Sequence, residues 1–242
     1  MSIEIIIPAY READNLKKII IKINQNIQGA LITIVDDTPG KDMGKILENF
    51  SNVNYIYRGK KLGRGSAVLV GMKESLKNKS SKIFIEMDSD FSHDPDELEN
   101  NINFFKKNNC DLLISSRYLK DSKIIKWSIQ RLIFSYFANK LAKFLLEVPV
   151  SDYTNGYRIY SKRAAMHVVN NCGKIGEGFI ILSEFLVELY YNKFIISEIP
   201  TIFRNRVRGE SSVNLNEIIN SIFGLFKIYK IKKKLIKKFS SN

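Results

Sequence analysis

Short apolar runs alternate with helix-period segments along the first half of the chain, and this alternation limits the fold more than any other feature. The runs are nearly continuous in apolar residues, which is typical of strands covered on both faces. Between the first two runs, Leu16, Ile19 and Ile23 recur at helical spacing. Alternating strands and helices predict an α/β fold, with a mostly parallel sheet and helices on both faces. The predicted strands are residues 3–8, 30–37, 52–58, 82–88 and 111–116.

The second half of the chain has fewer strand-like runs and longer apolar stretches. We therefore expect one domain over residues 1–213, followed by a basic amphipathic C-terminal helix over residues 214–242. The predicted elements are, in chain order, a long apolar helix or helix pair (125–146), a turn-rich return to the sheet (151–161), a helix (184–192), an extended segment (194–204) and a lysine-rich helix (214–239).

The 242-residue chain carries a formal net charge of +13, which favours polyanionic partners such as nucleic acid, anionic lipid or phosphorylated substrates. Its two cysteines, Cys110 and Cys172, lie far apart without metal-ligand spacing. We expect reduced thiols, as in a cytoplasmic protein. The sequence has no pattern of a signal peptide and no run of about 18 apolar residues that could span a bilayer. We expect a cytoplasmic protein, free or on a membrane surface.

Polar clusters follow four of the predicted strands at the point where each strand ends. In open α/β sheets, ligands bind at the carboxyl ends of the strands. Three of the four clusters carry acidic residues, so the sequence predicts a ligand site with carboxylates at this edge. The clusters are residues 8–12, 36–37, 88–90 and 116–117.

The Asp-x-Asp segment formed by Asp88 and Asp90 is the most informative of these clusters. In one interpretation both aspartates are turn or helix-cap residues, as Asp often is. However, Asp94, followed by Pro95 and Glu97, already supplies the start signal of the next helix. Carboxylates two residues apart at a strand end point the same way. With diphosphate oxygens they can hold one Mg²⁺ or Mn²⁺, and we favour this interpretation.

Two further clusters allow both a structural and a functional interpretation. Pro8 and Tyr10 offer flat apolar surface, and Glu12 and Asp37 can accept hydrogen bonds, so they can form a nucleoside pocket. The alternative is a strand-to-helix turn whose acidic first turn favours the helix dipole. The glycine-rich residues 59–71 lack the Gly-Lys-Ser/Thr ending of a P-loop, which favours a turn into a helix.

Arg131 and Ser135 lie one turn apart on one face of the predicted apolar helix. An arginine and a hydroxyl together suggest phosphate recognition. The alternative is an exposed arginine that covers apolar surface with its aliphatic stem. His93 and His167 are isolated in the sequence, and we assign neither to a metal site or a catalytic triad.

Together these segments resemble the family 2 glycosyltransferases with a GT-A (Rossmann-like) fold, and among them the polyprenyl-phosphate (dolichyl-phosphate) mannose synthases. The similarity extends over about residues 3–213. Several motifs that occur in the same order as in the family identify it more specifically than any single motif does. The matching segments are IIIPAYREADNL, IVDD, KLGRGSA, DSDFSHDPDEL, SSRY, then Trp127, Arg131, Ser135 and Asn139, then SDYTNGYRIY and EIPTIFRNRVRGESS.

The resemblance implies a role for each matching residue. Two segments depart from the family pattern: DDTPGKD is shorter than the family's Gly-Ser-Pro-Asp-Gly-Thr-like loop, and Ser212 stands where the family has a Lys. The implied roles are nucleoside binding for Pro8, Tyr10, Glu12, Val35 and Asp37, metal binding on the donor diphosphate for Asp88, Asp90 and Ser92, phosphate positioning for Arg117, Arg131 and Ser135, sugar orientation for Asp152, and closure over the diphosphate for Arg206.

The reaction that the resemblance implies is inverting transfer of a hexose, mannose from GDP-mannose, to a polyprenyl or dolichyl phosphate with Mg²⁺ or Mn²⁺. A phosphate monoester, with a second pKa of about 6, is already a nucleophile at neutral pH, which fits the scarcity of His. The alternatives are a UDP-glucose-dependent polyprenyl-phosphate glucosyltransferase, another UDP-sugar transferase, or a basic protein that binds membrane or nucleic acid. The strand-end acids would repel a nucleic-acid backbone, so we expect no nucleic acid; small membrane subunits remain an option.

The segment 225–239 has its lysines on one arc of a helix and its apolar residues on the opposite arc. The apolar arc either packs on the domain or lies in the acyl boundary of a membrane, with the lysines against anionic headgroups. Because the implied acceptor is a membrane lipid, we expect the second arrangement, on the cytoplasmic face. The lysines of the arc are Lys227, Lys230, Lys233, Lys234, Lys237 and Lys238.

Overall fold

The structure, a computed structural model, describes residues 2–40, 43–176, 178, 180–205 and 215–240, without the side chains of 215–222, 239 and 240. A short 3₁₀ turn, Pro95–Glu97, precedes the fourth helix. The strands are β1 (Ser2–Ala9), β2 (Leu31–Asp36), β3 (Val53–Tyr57), β4 (Ser81–Glu86), β5 (Leu112–Ser116), β6 (Lys123–Ile125), β7 (Arg158–Ser161), β8 (Ile196–Pro200) and β9 (Ile202–Arg204). The helices are α1 (Ala13–Asn26), α2 (Gly44–Leu47), α3 (Arg64–Ser75), α4 (Leu98–Lys107), α5 (Ile129–Leu146), α6 (Lys162–Asn171), α7 (Ile180–Tyr191) and α8 (Leu215–Ser240).

Seven strands form one sheet in the order β3-β2-β1-β4-β7-β5-β8, and β6 pairs with β9 in a separate two-stranded sheet. The large sheet is parallel except for β7, which runs antiparallel to both β4 and β5. The predicted α/β class and all five strands predicted in the first half are confirmed. The carboxyl ends of β1, β2, β4 and β5 therefore lie at one edge.

Each face of the sheet is covered by its own hydrophobic core. On β1, Ile5 and Ile7 belong to the core under α1, α2 and α4, whereas Ile6 belongs to the core under α3, α6, α7 and α8. All three isoleucines are fully buried. This two-sided burial is why the strand sequence is continuously apolar.

Helix α3 lies unusually close to the sheet at Gly71. A Cβ at this position would lie 2.6 Å from Cγ2 of Ile6 and 3.2 Å from Cγ2 of Val35. Both side chains are fully buried, so they cannot move away into solvent. Glycine at 71 is therefore what lets α3 pack directly on β1 and β2.

The long apolar segment in the second half is a single helix, α5, and not a helix pair. The Ser128 hydroxyl accepts a hydrogen bond from the Arg131 N–H (3.3 Å) and begins the helix. Glu147, in the left-handed conformation, ends it. The other elements predicted in this half, including the return to the sheet as β7, are confirmed. Cys110 and Cys172 are both free thiols.

The C-terminal helix α8 packs on the domain, contrary to the expectation that its apolar arc is open. Leu225 and Ile228 are buried in the same core as α7. Lys232 is 3 % exposed, and its Nζ contacts the Leu145 carbonyl at 3.0 Å and the Glu147 carboxylate at 2.8 Å. No helix in the described part of the chain is long and apolar enough to cross a membrane.

We predict that Gly71→Ala destabilises the protein by up to about 2 kcal/mol. Overpacking costs about 1–3 kcal/mol, and the 2.6 Å approach to Ile6 places Gly71→Ala in the upper part of that range, above the gain of about 1 kcal/mol from replacing glycine within a helix. Urea unfolding measures the difference. Gly178→Ala is the control, because its Cβ would meet no described atom within 4 Å. A Gly71→Ala protein as stable as the wild type would contradict the close packing.

Candidate active site

The loop after β4 carries the Asp-x-Asp segment and is held by hydrogen bonds at several points. The Asp88 N–H donates to Nδ1 of His93 (3.0 Å), and the Ser92 N–H donates to Oδ1 of Asp90 (3.0 Å). The Ser89 hydroxyl donates to the Pro8 carbonyl (3.3 Å), which joins the ends of β4 and β1. These contacts fix the position of the loop that carries both aspartates.

His93 positions this loop and is neutral. Because Nδ1 accepts the Asp88 N–H, Nε2 carries the proton and donates to Oδ1 of Asn155 (3.0 Å). Burial lowers the pKa of His93 despite the opposing charge of Asp88. Its ring also stacks on Tyr157, with 5.0 Å between the ring centroids. Sequence analysis missed this role because two partners of His93, Asn155 and Tyr157, lie about sixty residues later in the chain. His167 lies elsewhere, beside Glu188.

An arginine neutralises the first aspartate of the segment. Nε of Arg64 donates to Oδ1 of Asp88 (2.7 Å), and Nη1 donates to the Glu86 carboxylate (2.5 Å). Burial alone would lower the pKa of Arg64, but the charges of Asp88 and Glu86 raise it. Arg64 comes from the glycine-rich segment, for which the sequence analysis favoured a turn into a helix and did not predict contact with the aspartates. Arg64 therefore supplies part of the positive charge that a metal ion was expected to provide at Asp88.

The two aspartates after β2 are also satisfied within the protein. Asp36 accepts from the Thr38 N–H and the Tyr55 hydroxyl, both at 2.8 Å. Asp37, which was predicted to bind the nucleoside, is 4 % exposed. Its carboxylate receives Nε and Nη2 of Arg58 and the Leu62 N–H. The carboxylate oxygens of Asp37 therefore accept hydrogen bonds from the protein itself.

The remaining residues predicted for the nucleoside divide into exposed and buried groups. Tyr10 is partly exposed, with the Arg11 guanidinium 5.2 Å and the Lys61 ammonium 5.4 Å from its ring centroid. Glu12 precedes α1 and accepts a hydrogen bond from the Asn15 side chain (2.7 Å). Val35 is fully buried in the core.

Pro8 pairs with Val35 of β2 and is also buried. The side chains of Pro8 and Val35 are thus both covered, whereas Tyr10, with Arg11 and Lys61 beside its ring, is partly exposed.

Arg117, at the end of β5, forms a buried ion pair with Asp152. Its Nε and Nη2 donate to the two carboxylate oxygens at 2.7 Å, and its backbone N–H donates at 3.0 Å. Asp152 also accepts the N–H groups of Thr154 and Asn155. Burial alone would raise the pKa of Asp152, but the charge and hydrogen bonds of Arg117 hold it below its ordinary value. The carboxylate is fully buried, so it acts on the site through Arg117.

The residues predicted to position phosphates gather around Trp127. The guanidinium carbons of Arg131 and Arg117 lie 3.9 Å and 5.5 Å from its ring centroid. Nη1 of Arg131 donates to Oδ1 of Asn205 (3.1 Å). Ser135 accepts a hydrogen bond from the Tyr118 hydroxyl (2.6 Å). Two positive charges thus meet beside the Asp-x-Asp loop, and the Asp88 charge contributes to raising the pKa of Arg117.

Two buried polar atoms at this edge have no hydrogen-bond partner among the described residues: Oγ of Ser92 and Nε1 of Trp127. Both lie close to β9, because the Phe203 ring centroid is 5.3 Å from that of Trp127 and the Arg204 N–H donates to the Ser92 carbonyl. Buried polar atoms are rarely left unsatisfied. Their unused hydrogen-bonding capacity is therefore a feature of the region where the loop, Trp127 and β9 meet.

Mg²⁺ and Mn²⁺ take oxygen ligands of the kind that Asp88, Asp90 and Ser92 offer. The Ser92 hydroxyl, which has no hydrogen-bond partner among the described residues, fits such an ion. Across the described ranges, no set of three or more His, Cys, Asp or Glu side chains is placed to hold a metal alone. Ligand oxygens would therefore have to complete the coordination. Arg206 lies outside the described residues.

We predict that Arg117→Met lowers the free energy of unfolding by about 3–5 kcal/mol, because it leaves the Asp152 carboxylate buried without its partner. In the double variant Arg117→Met/Asp152→Asn, part of this loss should be recovered, since the side chain is no longer charged. Urea denaturation of the wild type, both single variants and the double variant measures the coupling. A loss below about 1 kcal/mol in Arg117→Met would contradict the importance of this pair.

The comparisons with known proteins agree with this architecture. Residues 4–169 match the family described as Glycosyl transferase family 2. The polyprenol monophosphomannose synthase of Mycolicibacterium smegmatis is 30% identical over 224 residues, covering 90% of this chain and 83% of that protein. The dolichol-phosphate mannosyltransferase of Pyrococcus furiosus is 31% identical over 237 residues, covering 95% of this chain. The chain spans 64% of the length of that second relative.

Solved structures confirm the expected GT-A fold. Glucosyl-3-phosphoglycerate synthase from Mycobacterium tuberculosis, in complex with phosphoglyceric acid, matches with a TM-score of 0.66 at 16% identity, covering 95% of this chain and 80% of that one. A complex of the same enzyme with Mn²⁺, uridine diphosphate and glucosyl-3-phosphoglycerate matches over the same shares of the two chains with a TM-score of 0.65. Since the family match covers more than half of the residues, the chain belongs to glycosyl transferase family 2.

Proposed function

We propose that the protein is an inverting mannosyltransferase that moves mannose from GDP-mannose to a polyprenyl or dolichyl phosphate in the presence of Mg²⁺ or Mn²⁺. The observation that carries this proposal is the meeting, at one sheet edge, of the Asp88–Ser92 loop with the Arg117, Trp127 and Arg131 cluster. Phe203 joins the two, since its ring centroid lies 5.5 Å from that of His93, beside the loop, and 5.3 Å from that of Trp127 in the cluster. The Asp88–Ser92 loop suits a metal-bound diphosphate, and the arginine cluster suits a second phosphate. The names of the two relatives at about 30% identity support the same donor and acceptor classes.

The donor diphosphate would bind at the Asp-x-Asp loop. Asp88 and Asp90 would hold the cation together with the Ser92 hydroxyl, and the bound cation would stabilise the leaving diphosphate. Arg64 balances the charge of Asp88 in the protein without ligand. His93 and Asn155 keep the backbone of the loop in place. The chain thus provides a binding loop that is already positioned before the donor arrives.

The acceptor phosphate would bind at Arg131, next to Ser135 and Trp127. A phosphate monoester is largely deprotonated at neutral pH, so its oxygen can attack the sugar carbon without a general base. This agrees with His93 being committed to the Asp88 N–H and Asn155. Attack opposite to the leaving diphosphate inverts the configuration, and the arginines keep two anions close together.

A UDP-sugar donor is the second candidate, and one observation favours it: the structurally similar glucosyl-3-phosphoglycerate synthase is solved in complex with Mn²⁺ and uridine diphosphate. Asp37, the acid expected to contact the nucleoside, is engaged by Arg58 and the Leu62 N–H and does not distinguish the two donors. Incubation with Mn²⁺, a polyprenyl phosphate and labelled GDP-mannose or UDP-glucose decides between the donors. Transfer from GDP-mannose alone supports the first proposal, transfer from UDP-glucose alone supports the second, and no transfer from either overturns both.

We further infer that the protein works as a peripheral protein on the cytoplasmic face of a membrane, where a lipid acceptor is accessible. A small membrane subunit is not required by anything in the site described above. Transfer by the isolated chain to acceptor in vesicles, without added subunits, tests this part of the proposal.

We predict that Asp88→Asn and Asp90→Asn each lower kcat/KM by at least about 100-fold, the size expected when stabilisation of a developing negative charge is lost. Mn²⁺-dependent binding of the donor, measured by calorimetry, should weaken in parallel. Asp96→Asn is the matched control, since Asp96 pairs with Lys22 on an exposed surface. Near-normal turnover of either site variant would show that the metal assignment is wrong.

We predict that Arg131→Ala raises the KM for the lipid phosphate by about 10-fold or more and leaves the KM for the donor nearly unchanged. A charge-assisted hydrogen bond to a phosphate is about twice as strong as a neutral one. Arg131→Lys keeps the charge but loses the planar fork, so its effect should be intermediate. Equal changes of both KM values would count against an acceptor-phosphate role.

A further inference from the structure

The guanidinium of Arg64 joins two carboxylates at the end of β4. Its Nη1 donates to Glu86 at 2.5 Å, and its Nε and Nη2 both lie 2.7 Å from Oδ1 of Asp88. The Arg64 side chain is 12% exposed, so salt and solvent screen these contacts only weakly. Asp88 belongs to the loop proposed to hold the divalent cation. Arg64 therefore lies where such a cation would compete with it.

The two carboxylates need this arginine to different degrees. Glu86 is fully buried, and it also accepts the Tyr160 hydroxyl at 2.8 Å. A buried carboxylate that loses its cationic partner destabilises the fold strongly. The Asp88 side chain is 20% exposed, so water can solvate its charge. Stability of the fold explains why Arg64 contacts Glu86, whereas its contact with Asp88 has a consequence for the site.

The protein keeps a space for the guanidinium beside Asp88. A Cβ at Gly156 would overlap the guanidinium of Arg64, and the Gly156 carbonyl accepts a hydrogen bond from Nη2 at 3.4 Å. Gly156 lies in the segment before β7, so the position of the charge is fixed by α3, by the end of β4 and by this third segment. Such a fixed position differs from that of a mobile surface arginine.

We propose that Arg64 is a built-in competitor of the divalent cation at Asp88 and makes firm binding of the cation depend on the donor diphosphate. A positive charge in contact with Asp88 repels a second cation, and this repulsion is stronger in a partly buried site than in water. A diphosphate adds negative charge and further oxygen ligands, which outweigh the repulsion. The inference rests on the proposed function for the diphosphate, and it gives Arg64 a positioning role that acts through Asp88.

Binding of Mn²⁺ without nucleotide, measured by electron paramagnetic resonance, tests the competition. Arg64→Met alone would leave Glu86 buried without a cation, so the test variant is Arg64→Met/Glu86→Gln. Its matched control is Glu86→Gln, which keeps the arginine. The double variant should bind Mn²⁺ at least about tenfold more tightly than the control, because the opposing charge is gone. Equal affinity in the two proteins, or weaker binding by the double variant, overturns the proposal.

Gly156→Ala gives a second test that leaves every charge in the protein. Its methyl group would displace the guanidinium from Asp88, so Mn²⁺ alone should bind at least about threefold more tightly than to the wild type. Gly178→Ala is the control, because its Cβ would meet no described atom within 4 Å. An unchanged affinity in Gly156→Ala contradicts the proposal. Circular dichroism confirms that each variant is folded.

A further pair of proteins shows whether Arg64 acts through Asp88. When Asp88→Asn is added to both Glu86→Gln and Arg64→Met/Glu86→Gln, the difference in Mn²⁺ affinity between them should disappear. A difference that persists would mean that the arginine acts on the cation by another route, and it would overturn the proposed competition at Asp88.

The effect of a nucleoside diphosphate separates this inference from the proposed function. Calorimetric titration with GDP, with and without Mn²⁺, gives the factor by which each ligand tightens the other. This factor should be at least about tenfold in Glu86→Gln and smaller in Arg64→Met/Glu86→Gln; an equal factor in both overturns the inference.

The remaining outcomes are assigned in the same way. Tighter Mn²⁺ binding without Arg64, together with no transfer from either donor, overturns the proposed function and leaves the competition standing. Transfer together with equal Mn²⁺ affinities overturns the competition alone. No Mn²⁺ binding by any of these proteins, with or without GDP, overturns the inference together with the metal assignment.

Discussion

The active-site edge depends on one constraint: carboxylates placed at the ends of buried strands must be neutralised inside the protein. An unpaired buried charge would destabilise the fold by about 3–5 kcal/mol. Each neutralising arginine comes from a different element than its acid, so the ion pairs also join the segments that form the site. The pairs are Arg58 with Asp37, Arg64 with Glu86 and Asp88, and Arg117 with Asp152.

These pairs give the acidic residues different capacities for chemistry. Asp152 is fully buried and surrounded by protein donors, so its effect reaches a ligand only through Arg117. The Asp88 side chain is 20% exposed, which leaves it accessible from the solvent side of the loop. A resemblance in sequence assigns both residues to the site, and the difference in burial separates a group that can contact substrate from one that positions an arginine.

Sequence periodicity predicted the sheet well because burial on both faces leaves a direct trace: Ile5, Ile6 and Ile7 are apolar in succession since they enter two cores. The sequence contains no comparable pattern for the residues that contact the site residues. Arg64 is the first residue of α3 and Asn155 lies in the irregular segment before β7, where the direction of a side chain depends on tertiary contacts rather than on a repeat. The apolar arc of α8 was placed wrongly because packing on a domain and insertion into a bilayer require the same pattern, and only the burial of Leu225 and Ile228 distinguishes them.

Helix α5 carries polar side chains on the side that faces the protein and large apolar side chains on the side that faces away from it. Its inner side carries polar groups: the Asn139 side chain accepts the Tyr153 N–H (2.7 Å) and donates to the Ser135 carbonyl (2.9 Å). Two of its three buried side chains, Ala142 and Leu146, are apolar and belong to the core. Large apolar side chains such as Phe137 and Phe144 are exposed on its outer side, where Lys140 is exposed as well. The polar interruptions that appeared in the sequence as Arg131, Ser135 and Asn139 are thus the inner side of the helix. One helix therefore brings together three of the residues that match the family's motifs, and Asn139 links that helix to the backbone of Tyr153, next to the Arg117–Asp152 pair.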